Sequence, residues 1–308
     1  MSALTASAAG VRPLAARDLD AVAAIDAALG GRSRRAYFER RLAAARRDPD
    51  GHVQFAVDSE GALAGYVLCK ALDGEFGRSE PELRIEALGV RPDMQRRGIG
   101  KRLAEMLAAE GARRGAAAIR TTASWREHEL LRFLEREGYR LGAARILERA
   151  LESGVDFDAE ARDAWEVRTL REDDLEGIAR IDKRVTGRAR RAYLCRALRE
   201  TLADSAVRVS LAAFGDRAVA GFVMARVDYG DFGRPEPVAV IDSIGVDPLQ
   251  MRQGVGRTLL SQLFFNLAAL GVERVETVVA WGDWTLAAFF DAAGFRPSQR
   301  LAFVKLFD

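Results

Sequence analysis

Val90-Arg91-Pro92-Asp93-Met94-Gln95-Arg96-Arg97-Gly98-Ile99-Gly100-Lys101 carries the chain from one periodicity into another. Residues 83–90 read as a strong strand, and residues 99–113 as a long amphipathic helix that Gly115 stops. Pro92 ends the strand. Gly98 and Gly100, two apart, let the backbone turn tightly and approach a ligand closely. The free N–H groups of the incoming helix then face an anion, helped by the helix dipole and by Arg96, Arg97 and Lys101. The turn suits a pyrophosphate. It is neither a Walker loop nor the dinucleotide fingerprint, because G-x-x-x-x-G-K-[ST] and the third glycine are both absent.

A lone G-x-G is weak evidence, but this one recurs. Val246-Asp247-Pro248 precedes Met251-Arg252-Gln253-Gly254-Val255-Gly256-Arg257, a constant 156 residues on (246 − 90). The same offset relates Gly31-Arg32-Ser33-Arg34-Arg35-Ala36-Tyr37 to Gly187-Arg188-Ala189-Arg190-Arg191-Ala192-Tyr193. It also relates Ile25-Asp26 to Ile181-Asp182, Phe76-Gly77-Arg78 to Phe232-Gly233-Arg234, and Trp125 to Trp281. A period this long is a duplicated domain and not a solenoid unit. The expected division is residues 11–151, an acidic linker at residues 152–164, and residues 165–308. Each copy is large enough to carry its own core.

Within one copy the periodicities predict a strand at residues 11–14 and a helix with apolar Leu19, Val22, Ile25 and Leu29. Ser33 reads as the N-cap of a second helix. Strands follow at residues 52–57, 63–71 and 83–90, then the long helix, a strand at 117–123 and a helix at 127–137. Two short strands at 139–141 and 145–150 complete the order β-α-α-β-β-β-α-β-α-β-β. The second copy repeats it.

The segment from Val90 to Gly100 resembles the central motif of the GNAT superfamily of acyl-CoA-dependent N-acyltransferases, [Q/R]-x-x-G-x-[G/A] after a strand ending near V-x-P. The order of elements agrees over both copies. The resemblance implies an α/β fold of two tandem GNAT-like domains, each a mixed twisted sheet with helices on both faces. It implies acetyl-CoA as cosubstrate, its pyrophosphate on the amides of Gln95, Arg96, Arg97, Gly98, Ile99 and Gly100 beside Lys101. The pantetheine arm then pairs with Leu88, Gly89 and Val90. In the second copy the matching positions are Ile244, Val246, Arg252, Gln253, Gly254, Val255, Gly256 and Arg257. Met251 replaces Gln95 there, which favours the first copy as the cofactor site.

Transfer to an amine faces a proton problem. An alkylamine of pKa about 10 is neutral in roughly one molecule per thousand at pH 7, a handicap of about 4 kcal/mol. Glu86 and its repeat equivalent Asp242 lie on the strand before the turn. Strict alternation places them on one face with Leu88 and Val90, or with Ile244 and Val246. A carboxylate among aliphatic groups has a raised pKa and suits a general base, the expectation for both. The competing reading is a structural carboxylate paired with arginine. The oxyanion falls to a backbone N–H near Val90. The family's usual general acid is a Tyr in A-x-x-F-Y-x-x-x-G-F, yet Leu134 and Phe290 hold that position; Glu127 and Asp283 stand where its Asn does. Tyr37 and Tyr193 are candidates by duplication alone. That gap supports an alternative, a non-catalytic acyl-CoA-binding or sensor protein.

Two duplicated features bear on the acceptor. Arg34, Arg35, Arg190 and Arg191 either recognise a substrate carboxylate or phosphate or form a solvated helix face. The loops Glu75-Phe76-Gly77-Arg78 and Asp231-Phe232-Gly233-Arg234 read as fixed turns over the site or against the sister copy. Trp125 and Trp281 read chiefly as packing. The acceptor is an amine of a small molecule, or a protein lysine or N-terminus.

The bulk numbers exclude other classes. A net charge of +2 over 308 residues gives no case for nucleic acid or membrane. No apolar stretch approaches the roughly 18 residues of a membrane helix, and Met1 to Gly10 lacks the charged start of a signal peptide. Cys69 and Cys195 do not match under the repeat, and His52 and His128 lack partners at ligand spacing, so no metal site is expected. The expectation is a cytoplasmic protein, a monomeric pseudo-dimer or a homodimer.

Overall fold

The computed structural model describes residues 10–31, 33–72, 80–151, 158–203, 209–216, 218–228 and 238–307. The first copy runs β1 (Val11–Pro13), α1 (Leu19–Gly30), α2 (Arg35–Arg47), β2 (His52–Ser59), β3 (Ala62–Leu72), β4 (Glu82–Val90), α3 (Ile99–Arg113), β5 (Ala118–Ser124), α4 (His128–Arg136) and β6 (Arg140–Ala150). After the single turn α5 (Ala159–Arg162), the second runs β7 (Glu166–Thr169), α6 (Leu175–Thr186), α7 (Arg191–Ala203), β8 (Leu211–Gly215), β9 (Ala218–Asp228), β10 (Val238–Val246), α8 (Val255–Ala269), β11 (Arg274–Ala280), α9 (Trp284–Ala292) and β12 (Arg296–Leu306).

All of these strands join one mixed sheet in the order β1-β2-β3-β4-β5-β12-β6-β11-β10-β9-β8-β7. The order is a palindrome, and its centre is an exchange. Each copy's last strand leaves its own sheet and completes the other's. Ser124 of β5 lies opposite Arg300 of β12, and Ala280 of β11 opposite Ala144 of β6. β6 and β12 pair antiparallel across the middle, Arg296 opposite Glu148 and Val304 opposite Arg140. A folded lobe is therefore five strands of one copy plus the last strand of its sister. The cores follow suit: Leu147 and Leu151 pack with α8, and Phe303 packs with α3. The two short closing strands expected from sequence are one continuous strand in each copy.

Helices cover both faces. In the first lobe, Val22 and Ile25 of α1 with Tyr37, Phe38 and Leu42 of α2 bury against Tyr66 and Leu68 of β3. On the opposite face Ile99, Leu103 and Leu107 of α3 and Leu134 of α4 bury against Val67, Leu83 and Ile85. Four-residue spacing along α3 places those three side chains on one stripe. The second lobe repeats both layers.

Ser33 does not cap α2. Arg34 holds the capping position without a side-chain cap, its guanidinium turned to Asp26 instead. The linker carries α5, which lies on α8 through Thr258 Oγ1 donating to the Ala161 carbonyl at 2.6 Å and Ser261 Oγ to that of Asp158 at 3.0 Å.

Candidate functional site

The parallel strands β4 and β5 pair only from Glu82 opposite Ala118 to Arg84 opposite Arg120. Beyond that they part, so the β5-facing edge of residues 85–90 has no neighbouring strand. β10 and β11 part after Ile241 and Thr277. Each lobe thus has a crevice with an open strand edge at Leu88, Gly89 and Val90, or at Ile244 and Val246.

At its mouth the chain makes a short turn at Pro92–Met94 and then two left-handed residues, Arg96 with φ 61° and Gly98 with φ 81°. The second copy repeats them at Arg252, φ 62°, and Gly254, φ 87°. A non-glycine residue held there costs of order 1–3 kcal/mol, so its recurrence marks a loop shaped for more than connection. The first helical bond runs from the Arg102 N–H to the Gly98 carbonyl at 3.0 Å. The N–H groups of the preceding turn are left pointing outward, with no side-chain cap. Gly100 has another duty than ligand approach: a Cβ there would lie 3.1 Å from Phe133 Cε2, and at Gly256 3.0 Å from Phe289 Cε2. This glycine seats the second helix of the site against the first.

In the first lobe these parts enclose a cavity of about 1240 Å³, lined by Leu88, Gly89, Val90, the loop from Gln95 to Lys101, and α4. Asp26, Leu29 and Arg34 form another part of its wall. Gln95 braces the loop, its Nε2 donating to the Val90 carbonyl at 3.3 Å, a bond Met251 cannot make. Arg96 meets Glu129 at 3.1 Å, Arg97 meets Glu60 at 3.7 Å and Lys101 meets Glu105 at 3.8 Å. These exposed pairs are weak and yield readily to an arriving anion. In the second lobe Arg257 is held by Asp158 of the linker, and the Trp165 indole donates to the Gln253 carbonyl at 2.9 Å.

Glu86 corrects the expectation from sequence. It is the extra residue of a bulge: Leu68 pairs with Ala87 while Cys69 pairs with Ile85. Asp242 is its counterpart, between Met224–Ser243 and Ala225–Ile241. The bulge resets the alternation. Leu88 and Val90 pack on the α3 side, whereas the Glu86 carboxylate lies 3.5 Å from Arg41 of α2 and 3.1 Å from Arg84. Burial alone would raise its pKa, but Arg41, Arg84, Lys70 and Arg226 outweigh burial and hold it below the usual carboxylate range. Burial likewise opposes Asp242, and Arg226, Arg84 and Lys70 pull it down. Neither pKa is raised, and Glu86 does not line the cavity. Both carboxylates belong to one cluster of charges from the two copies.

Arg34 is no solvated face. Buried to 5 % exposure, it binds both oxygens of buried Asp26; Arg190 and Asp182 repeat the pair. Arg35 and Arg191 make exposed pairs with Asp20 and Glu176. Leu134 and Phe290 are fully buried and bring no hydroxyl. Glu127 accepts the Ser124 N–H at 2.8 Å and Asp283 that of Leu286 at 2.9 Å, both local turn contacts. The Tyr37 ring is buried between Arg34 and Arg41, and Tyr193 stacks with Arg190. Trp125 and Trp281 are half exposed and stitched to the sister's exchanged strand, through Gln299 and Ala143. The loops containing Phe76 and Phe232 lie outside the described residues.

Sequence reasoning missed most of the α4 wall, including Arg126, His128, Arg132 and Arg136. The repeat held a usable signal: the matching positions in the second copy are Gly282, Trp284, Ala288 and Ala292, so the cationic wall exists once. Among the described residues no cluster of His, Cys, Asp and Glu is able to hold a metal, and no helix is long and apolar enough to cross a membrane.

Comparison with known proteins agrees with this geometry. The acetyltransferase (GNAT) family model matches the chain twice, at residues 20–139 and 166–295. A tandem GNAT protein from the clavulanic acid biosynthesis pathway, solved without acetyl-CoA, superposes with a TM-score of 0.67 at 21% identity over 96% of this chain and 97% of that one. A GCN5-related N-acetyltransferase from Sphaerobacter thermophilus gives 0.60 at 18% identity, over 96% and 95%. A glucosamine N-acetyltransferase region of a fungal multi-domain GH3 β-N-acetylglucosaminidase gives 0.65 at 15% identity over 96% of this chain, which spans only 37% of that protein. None of the curated proteins matches. At these identities the solved structures establish the fold alone, whereas the family match covers most of the sequence. The chain belongs to the acetyltransferase (GNAT) family and carries its domain twice.

Proposed function

We propose that this protein transfers the acetyl group of acetyl-CoA to an amine, and that the first lobe holds the cosubstrate. One observation supports this most: β4 and β5 part directly beside the left-handed turn at Arg96 and Gly98, so an open strand edge and outward N–H groups meet in one cavity. Acetyl-CoA supplies an activated thioester there. The amides of residues 95–100 take its pyrophosphate and the edge of Leu88 to Val90 takes its arm. Arg96 and Lys101, with Arg126, Arg132 and Arg136 of the α4 wall, offer positive charge to the nucleotide phosphates. A backbone N–H near Val90 stabilises the oxyanion.

The second lobe keeps the turn but lacks the cationic wall and Gln95, and its Arg257 is engaged by Asp158. We assign it a supporting role, completing the first lobe's sheet through β12. The acceptor is an amine of a small molecule or of a protein. The chain works in the cytoplasm as a monomer whose copies stand where two subunits otherwise would.

Calorimetric titration with acetyl-CoA, followed by thiol release with a panel of amines, tests this. One equivalent bound, with turnover on some amine, is the expected result. Absence of binding overturns it. Binding without turnover favours the second reading, an acyl-CoA sensor, which the lack of a hydroxyl at Leu134 and Phe290 supports.

A further inference from the structure

The transferase reading leaves an unfilled role: something in the first-lobe cavity must take the proton of the acceptor ammonium. Glu86 is turned away toward Arg41 and is held ionised among four cations. Asp26 lines the cavity but gives both oxygens to Arg34. Glu127 is committed to the Ser124 N–H, while Glu129, in its weak exposed pair with Arg96, and Glu137 are further carboxylates of the wall. Beside them stands His128.

We infer that His128, the first residue of α4, accepts the proton of the acceptor ammonium, directly or through one water, in a first lobe that binds acetyl-CoA. The assignment rests on the transferase reading above and deepens it. His128 lines the cavity wall with its ring open to solvent, beside that of Trp125 at 6.5 Å between centroids. Among the described residues neither ring nitrogen has a hydrogen-bond partner, so both face substrate or water. Imidazole is the side chain most often used for general-base proton transfer. Arg126, Glu127, Glu129 and Arg132 stand near it on its own turn and helix. Across the cavity are the Asp26–Arg34 pair, Arg96 and Lys101.

The step balances without another reactant. The ammonium gives one proton to the imidazole, and the freed amine forms the C–N bond as the C–S bond breaks. The second proton on nitrogen leaves as the amide forms. One of the two protons ends on the thiolate and the other in solvent. The second copy carries Trp284 at the matching position and has no such acceptor.

The test is H128Q in the full chain, compared with wild type for acetyl-CoA binding by calorimetry and for the pH profile of amine-dependent thiol release. The expected result is unchanged cosubstrate affinity and a kcat lower by about 10²-fold at pH 7. The deficit should narrow as rising pH supplies free amine. Equal kcat and an identical profile in H128Q overturn the assignment and leave the transferase standing. A wild type that binds acetyl-CoA yet acetylates no amine overturns both.

Discussion

Ser124 of the first copy lies opposite Arg300 of the second, and the mirror of that pair, Ala280 opposite Ala144, closes the other lobe. Neither β5 nor β11 is an edge, because each is covered by a strand from the sister copy. A gene duplication that kept this exchange cannot be undone by separating the halves, since each would lose one strand of its own sheet and expose another.

Cleavage between Leu151 and Asp158 therefore should not release two bodies. With a protease site engineered there, the fragments are expected to co-elute at the size of the uncut chain and to part only in denaturant. Two independently eluting, folded fragments after cleavage would contradict the exchanged order of strands.

Glu86 and Asp242 make the exchange sensitive to acid. Each has a folded pKa below its unfolded value of about 4, so each contributes stability that is fully present above that value. The contribution is lost as pH falls from there through the lowered folded pKa. Glu86→Gln leaves Arg41 and Arg84 without their carboxylate, and breaking such a buried pair costs about 3–5 kcal/mol. Thermal unfolding should show a large loss at pH 7 that shrinks below pH 4. Thiol release per folded molecule should stay at the wild-type level, and its collapse would restore Glu86 to the chemistry.

The repeat, the strand-to-helix turn and the helix faces were legible because each is a local pattern in the chain. The exchange was not. β6 presents the same apolar positions whichever copy it pairs with, so alternation carries no record of the partner. The bulge at Glu86 was hidden for a related reason: a period of two was extended through a residue where the backbone skips a beat. Arg34 looked like surface because it sits in a basic run, and only the fold brings Asp26 to it from eight residues away. His128 left no mark in the sequence, because a cavity wall needs no partner at fixed spacing.

The Arg34–Asp26 pair separates structure from recognition. If Arg34 only anchors α2 against α1, Arg34→Lys loses the two-pronged bond and lowers the melting temperature. Its KM for anionic acceptors would stay unchanged per folded molecule. A selective rise in KM for carboxylated or phosphorylated amines would return Arg34 to the acceptor site.

Alanine at Gly98 and at Gly254 tests which lobe binds acetyl-CoA. Both hold left-handed backbone, at φ 81° and 87°, and a Cβ added to either meets nothing within 4 Å. Gly98→Ala and Gly254→Ala should therefore carry the same purely conformational cost, about 1–2 kcal/mol of stability each. Equal losses in chemical denaturation would confirm that neither substitution acts through a clash. Their effects on acetyl-CoA should differ: an alanine resisting the turn that presents the N–H groups weakens binding only where binding occurs. A loss of about tenfold, roughly 1.4 kcal/mol, is expected for Gly98→Ala and none for Gly254→Ala. Equal weakening by both would place the cosubstrate in both lobes, and weakening by Gly254→Ala alone would move it to the second.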